Sequence, residues 1–196
     1  MQALYVGGVV LMIVYSRCVS VAKNIKIGIS TAANRVSMKV DIMFIRKMYP
    51  TEGKRLAELL FTSVHTLCTS DYTPEELEAW APKRMDMTKF NLSLLKSYNL
   101  VMVERDKIIG FVCIEPDGYV NRLFTHPDHV RRGVASALMD RAEEWAKKKR
   151  GLGRVRLAAS KTGKGFYLKR GYRVADTERV IRNGVTIENM IMEKYL

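Results

Sequence analysis

With 196 residues, 47% of them hydrophobic and 27% charged, the chain has the size and composition of a globular domain with a real core, which excludes a disordered or fibrous protein. Its net charge of +13 favours an anionic partner: a phosphorylated cofactor, nucleic acid or an acidic membrane surface. Cys18, Cys68 and Cys113 are widely spaced with no CxxC pair, and His126 and His129 stand alone in an HxxH spacing, so neither a disulfide framework nor a metal site is expected.

The chain opens on "ALYVGGVVLMIVY" (residues 3–15), an apolar run too short to span a bilayer as a helix. It resembles a signal-peptide core, but no Lys or Arg precedes it and "SRCVSVA" is a poor cleavage site. We expect residues 1–42 to be an extension or an upstream start, with Met38 or Met43 opening the domain proper over 43–196. "MFIRKMY" then reads as a strand, Thr51 as the cap of an amphipathic helix through "EGKRLAELLFTSVHTL", and "TPEELEAWA" as a helix opened by a Thr73/Glu76 capping box with Pro74 at its first position. A short helix follows in "MTKFNLSLLKS". "LVMVER", "KIIGFVCIE" and "YVNRLFT", joined by a turn at Asp106 and by "EPDG", read as an antiparallel meander.

Residues 133–150 carry a helical apolar stripe that ends in "KKKRG", where cations suit the C-terminal dipole. "RVRLAAS" reads as a strand, "GKGFYLKRG" as a short helix, and the remainder as a hairpin turning on Asn183-Gly184. The order β-α-α-α-β-β-β-α-β-α-β-β, with a strand-helix-strand crossover near its centre, predicts a mixed sheet.

The most informative stretch is "HPDHVRRGVASAL", where two arginines and a glycine stand at the start of a helix. Helix N-termini present unpaired N–H groups and partial positive charge, and glycine admits close approach to the backbone, so this is a candidate anion site. It is neither a Walker loop nor a dinucleotide fingerprint, because the glycine spacings do not match. "LFTHPDHVRRGVASALM" resembles the acetyl-coenzyme A motif of the GNAT N-acetyltransferases. "FYLKRGY" is similar to the family's Tyr-x-x-x-Gly-Phe segment, and "IENMIMEKYL" fits its closing strands. "VHTLCTSDYTPEELEAWAP" is similar to a segment of one branch of small, mostly bacterial members. Val130 stands where the family has Gln or Arg, and Ala135 where it often has Gly.

This resemblance covers 43–196 and implies an α/β (α+β) GNAT fold: a mixed, mostly antiparallel sheet with a splayed parallel strand pair and helices on both faces. It implies acetyl-CoA as the acetyl donor, held through its pantetheine by the backbone of Leu123, Phe124 and Thr125. The pyrophosphate would lie against the N–H groups of Val130, Arg131, Arg132, Gly133, Val134, Ala135 and Ser136, with the two arginines supplying charge. Tyr167 matches the family's general acid. For the base, Glu115 and His65 are candidates acting through a water, because Asn121 stands where relatives carry an acid and cannot titrate. Each has a plainer reading, Glu115 as a solvated turn residue and His65 as a structural hydrogen-bonding group or a substrate contact. Cys113 in "GFVCI" reads as a buried strand residue rather than a nucleophile.

The expected reaction is acetyl transfer to the amine of a small molecule or protein, by direct attack in a ternary complex. The expected protein is a cytoplasmic monomer or homodimer without a membrane span. Two other readings stay open. One is a coenzyme A-binding regulatory module without turnover. The other is a basic nucleic-acid-binding protein, which includes an acetyltransferase acting on aminoacyl-tRNA; "KKKRGLGRVR" is its local support, although no nucleic-acid-binding motif is visible.

Overall fold

A computed structural model describes residues 42–196 in full, together with the backbone of 3–6, 9–12, 25–32 and 35–41. The chain divides into two compact units, residues 1–44 and 45–196. In the first, β1 (Ala3–Val6) pairs antiparallel with β2 (Val9–Met12), and β3 (Ile25–Ala32) pairs antiparallel with β4 (Arg35–Lys47). The apolar run is thus described as a strand pair at 3–6 and 9–12, while the rest of it, the cleavage-site reading at 16–22 and the side chains of residues 1–41 lie outside the described residues. The strand expected from Met43 is the end of the longer β4.

The second unit follows the expected order. After β4 come α1 (Gly53–Leu67), α2 (Pro74–Trp80), α3 (Met87–Leu95), β5 (Tyr98–Glu104), β6 (Lys107–Ile114), β7 (Tyr119–Thr125), α4 (Val134–Arg150), β8 (Arg154–Ala159), α5 (Lys164–Lys169), β9 (Arg173–Arg182) and β10 (Val185–Tyr195). The spatial order from the end of β4 is β4-β5-β6-β7-β8-β10-β9. β7 and β8 are parallel, and every other neighbour whose register is described is antiparallel. No helix among the described residues is long and apolar enough to cross a membrane.

Local chemistry sets the boundaries. The α2 capping box forms as expected: Thr73 Oγ1 accepts from the Glu76 N–H, and the Glu76 carboxylate accepts from the Thr73 N–H. Thr51, in contrast, is not a cap. Pro50–Glu52 form a 3-10 turn, and α1 starts at Gly53 behind Glu52. The Glu52 carboxylate accepts from the Tyr49 N–H at 2.8 Å and takes both terminal nitrogens of Arg46 at 2.7 and 2.8 Å. A bidentate ion pair at a buried position outweighs a single hydroxyl cap.

The sheet separates two cores. On one face α1, α2 and α3 pack Leu56, Leu60, Val64, Leu77, Phe90 and Leu94 against Val101, Phe111 and Cys113. On the other, α4 buries Val134, Leu138, Met139, Ala142 and Ala146. It lies so close to β6 that a Cβ at Gly110 would stand 2.5 Å from a Val134 methyl. Helix packing therefore requires a residue without a side chain there. Trp145, expected on the same stripe, is only partly buried and stacks on Tyr98 with ring centroids 4.7 Å apart.

Candidate active site

β7 and β8 are in register at two positions only, Tyr119 with Arg156 and Val120 with Leu157, although both strands continue. Beyond Val120 they part. Opposite Cys113 and Ile114 of β6 stand Arg122 and Val120, so Asn121 is an extra residue, a β-bulge that bends the strand where the opening begins. The His126 N–H donates to the Ile109 carbonyl at 2.9 Å. By strand alternation, Phe124 likewise turns its amide toward β6, whereas Leu123 and Thr125 turn theirs toward the opening. Of the three residues expected to hold pantetheine, Leu123 and Thr125 thus offer free backbone groups. Phe124 instead supplies a ring, packed on Phe111 and Trp80.

The strand runs into a loop of unusual backbone. Pro127–His129 form a 3-10 turn, Arg131 has φ +59° and Gly133 has φ +81°. Left-handed residues alternating with ordinary ones turn successive N–H groups to one side and make an anion-binding concavity. The Val130 N–H is already donated to the Pro127 carbonyl at 3.4 Å, so Val130 lies outside the set of free donors. The N–H groups from Arg131 to Ser136 find no acceptor among the described residues, and the first inter-turn bond of α4 is Ala137 N–H to Gly133 C=O. A Cβ on Gly133 would meet nothing within 4 Å, so the cradle is open to a ligand.

The two arginines differ. Arg131 is exposed. Arg132 donates both terminal nitrogens to Glu104 at 2.6 and 3.2 Å, and His129 Nε2 donates to the same carboxylate at 3.0 Å. These bonds hold the Glu104 carboxyl below the usual carboxylate range, Arg132 having the larger effect. Arg132 thus fastens the loop to the end of β5, and its charge is neutralised there.

Tyr167, on α5, is buried, and burial raises its phenol above the ordinary tyrosine range, so it stays protonated at neutral pH. Its ring meets Phe166 and Tyr172 edge-on. The following residues lock α5 to α4. Arg170 donates to Asp140 at 2.9 Å and Glu143 at 3.0 Å, and Glu143 also accepts from Tyr172 and Lys194. Glu115, at the end of β6, accepts from Asn121 Nδ2 at 2.9 Å beside the bulge. His65 lies elsewhere, at the junction of α1 and α2, where its Nε2 donates to the Ala81 carbonyl at 2.9 Å and its ring stacks on Phe61. Cys113 is fully buried, and burial pushes its thiol up to about 12.

Sequence reading missed Glu104, Arg170 and Glu143, which tie loop and helix to the sheet, and Arg122, which faces α3. Arg170 lies inside "FYLKRGY", where only Tyr167 was singled out; Glu104, Glu143 and Arg122 lie in no quoted motif, and the signal available there was charge at positions of inward parity.

A strand pair that parts beside a loop of unpaired amide donors leaves a cleft open to an extended anionic ligand. Residues 68–194 match the family model described as acetyltransferase (GNAT) domain. The chain is similar to the "Uncharacterized N-acetyltransferase YafP" of Escherichia coli K12, 28% identical over 148 residues, which are 76% of this chain and 93% of that protein. Among solved structures it resembles the GCN5-related N-acetyltransferase titled "Aminotransferase, Class-II" from Rhodopseudomonas palustris, at 31% identity and TM-score 0.75 over 78% of this chain and 95% of that one. The fold is also that of the PaiA N-acetyltransferase of Thermoplasma acidophilum, solved with coenzyme A, at 24% identity and TM-score 0.64 over 79% and 99% of the two chains. The chain belongs to the GNAT acetyltransferase family and is an acyltransferase.

Proposed function

We propose that the protein transfers the acetyl group of acetyl-CoA to a primary amine within a ternary complex. The observation that carries this reading is the parting of β7 from β8 directly upstream of the amide-lined loop. Backbone donors at Arg131 to Ser136 would hold the pyrophosphate, and the free edge of Leu123 and Thr125 the pantetheine. An N–H on that edge would polarise the thioester carbonyl. The amine nitrogen forms the new C–N bond as the C–S bond breaks. The amine's proton leaves through water to Glu115, and Tyr167 gives its proton to the departing thiolate. His65, donating to a backbone carbonyl at the α1–α2 junction, acts as a structural group.

The test is turnover and cofactor affinity of Tyr167→Phe. We expect turnover to fall by roughly 10²–10⁴-fold, the usual worth of a positioned proton donor, with acetyl-CoA affinity unchanged. Equal turnover in both proteins across the pH range would remove Tyr167 from the mechanism.

A further inference from the structure

Half-buried guanidinium groups in this chain are repeatedly matched with carboxylates. Arg46 pairs with Glu52, Arg132 with Glu104, and Arg170 with Asp140 and Glu143. Arg122 is not. It stands on β7 opposite Cys113, on the face that carries Phe124 and turns toward α1 and α3. One terminal nitrogen, Nη2, donates to Ser93 Oγ at 3.1 Å, and the guanidinium lies 5.0 Å from the centre of the Phe90 ring. Ser93 gives its own proton to the Phe90 carbonyl, so it offers a neutral oxygen and no counter-charge. The other terminal nitrogen, Nη1, is buried and donates to no oxygen, and the guanidinium's remaining neighbour is the Cys113 thiol. The thiol of Cys113 beneath it stays neutral because burial raises its pKa. Among the described residues no carboxylate pairs with Arg122.

A half-buried cation with one buried, orphaned donor is a costly arrangement unless an anion completes it. Planar guanidinium groups match carboxylates through two parallel hydrogen bonds. Arg122 directly precedes Leu123, whose amide edge faces the opening where the thioester would lie, and one strand residue is only about 3.4 Å. A small molecule could therefore reach both.

We propose that Arg122 is a specificity-determining residue that binds a carboxylate of the amine acceptor, and that the acceptor is a small amino acid-like molecule rather than a plain amine or polyamine. This rests on the acyltransferase reading above. A cationic acceptor would be repelled from the same position.

The experiment measures kcat/KM with acetyl-CoA for common α-amino acids, β-alanine and γ-aminobutyrate, each against its carboxamide, in the wild type, Arg122→Gln and Arg122→Lys. For the best acceptor we expect the acid to exceed its amide by roughly tenfold to a hundredfold, the range of a charge-assisted pair. In Arg122→Gln that ratio should fall toward one, mainly through KM, and Arg122→Lys should restore part of it. Thermal melting of Arg122→Gln should match or exceed the wild type, because an uncompensated buried charge is gone. Equal rates for acid and amide in the wild type, or an unchanged ratio with lowered stability in Arg122→Gln, would overturn the assignment and leave the acyltransferase reading intact. Bound acetyl-CoA with no acetylation of any acid or amide would remove small-amine acetylation, and this inference with it.

Discussion

The two sides of β7 solve recognition differently. Downstream, the loop into α4 offers backbone: its unpaired donors are amide N–H groups, and Arg132, which looks like its main cation, is held by Glu104. The face toward α3 offers side chains brought from separate elements, with Arg122 set over Phe90 and beside Ser93. On the proposed reading, a cradle of neutral dipoles would hold the fixed group that every turnover shares. On the same reading, a guanidinium over the Phe90 ring would select among variable partners. A site built from backbone tolerates changes of side chain at positions such as Val130 and Ala135, whereas a site built on one side chain is altered by one substitution.

Three substitutions sharpen that contrast. Gly133→Glu places a residue with a side chain at φ +81° and a negative charge in the mouth of the cradle. With strain of about 1–3 kcal/mol and charge repulsion, acetyl-CoA affinity should fall by at least roughly 100-fold. Circular dichroism should show the fold retained, since no neighbouring atom is displaced. Retained affinity would break the account of the loop.

Arg132→Ala removes both charged bonds to Glu104 and should cost about 1–3 kcal/mol of stability in a denaturant melt. Its effect on cofactor binding should follow from loosening of the loop. The associated pH dependence has a definite sign. The Glu104 carboxyl is depressed in the folded state, so its contribution is present above the unfolded carboxylate value near 4.3 and is lost as pH falls through the lower folded value. Arg132→Ala should remove this part of the acid sensitivity, which parallel melts from pH 6 down to pH 3 would detect.

Arg131→Ala has the smallest expected effect. An exposed cation beside the cradle is worth about 0.3–1 kcal/mol, a few-fold in acetyl-CoA affinity that shrinks as salt rises. If Arg131→Ala were the more damaging to stability and Arg132→Ala to the cofactor alone, the roles given to the two arginines would be reversed.

The difference between the two sides also explains what the sequence could reveal. "HPDHVRRGVA" was legible because glycine, proline and the start of a helical stripe encode backbone shape locally, and shape is what the loop uses. Element order was legible for the same reason, through the Thr73 capping box and the Asn183-Gly184 turn. Thr51 misled because Glu52 finds Arg46 in space and takes over the end of α1. The role of Arg132 depended on Glu104, 28 residues earlier in the chain, and no local pattern announces that pairing. Arg122 shares the face of Phe124 by ordinary alternation, but the bulge at Asn121 breaks the period-2 pattern across 119–125, so its face could not be counted from the start of the strand. Phe124 showed the limit at a single residue: naming its backbone as a ligand required knowing which edge of β7 is paired.

The most direct test of the central claim is calorimetric titration of the protein with acetyl-CoA at low and high salt, beside a short oligonucleotide under the same conditions. We predict saturable binding of the cofactor at roughly micromolar strength, about −8 kcal/mol, weakening only modestly with salt because the donors are mostly neutral amides. Absence of cofactor binding, with oligonucleotide binding that falls steeply as salt rises, would show that the open loop belongs to a basic surface and not to an acetyltransferase site.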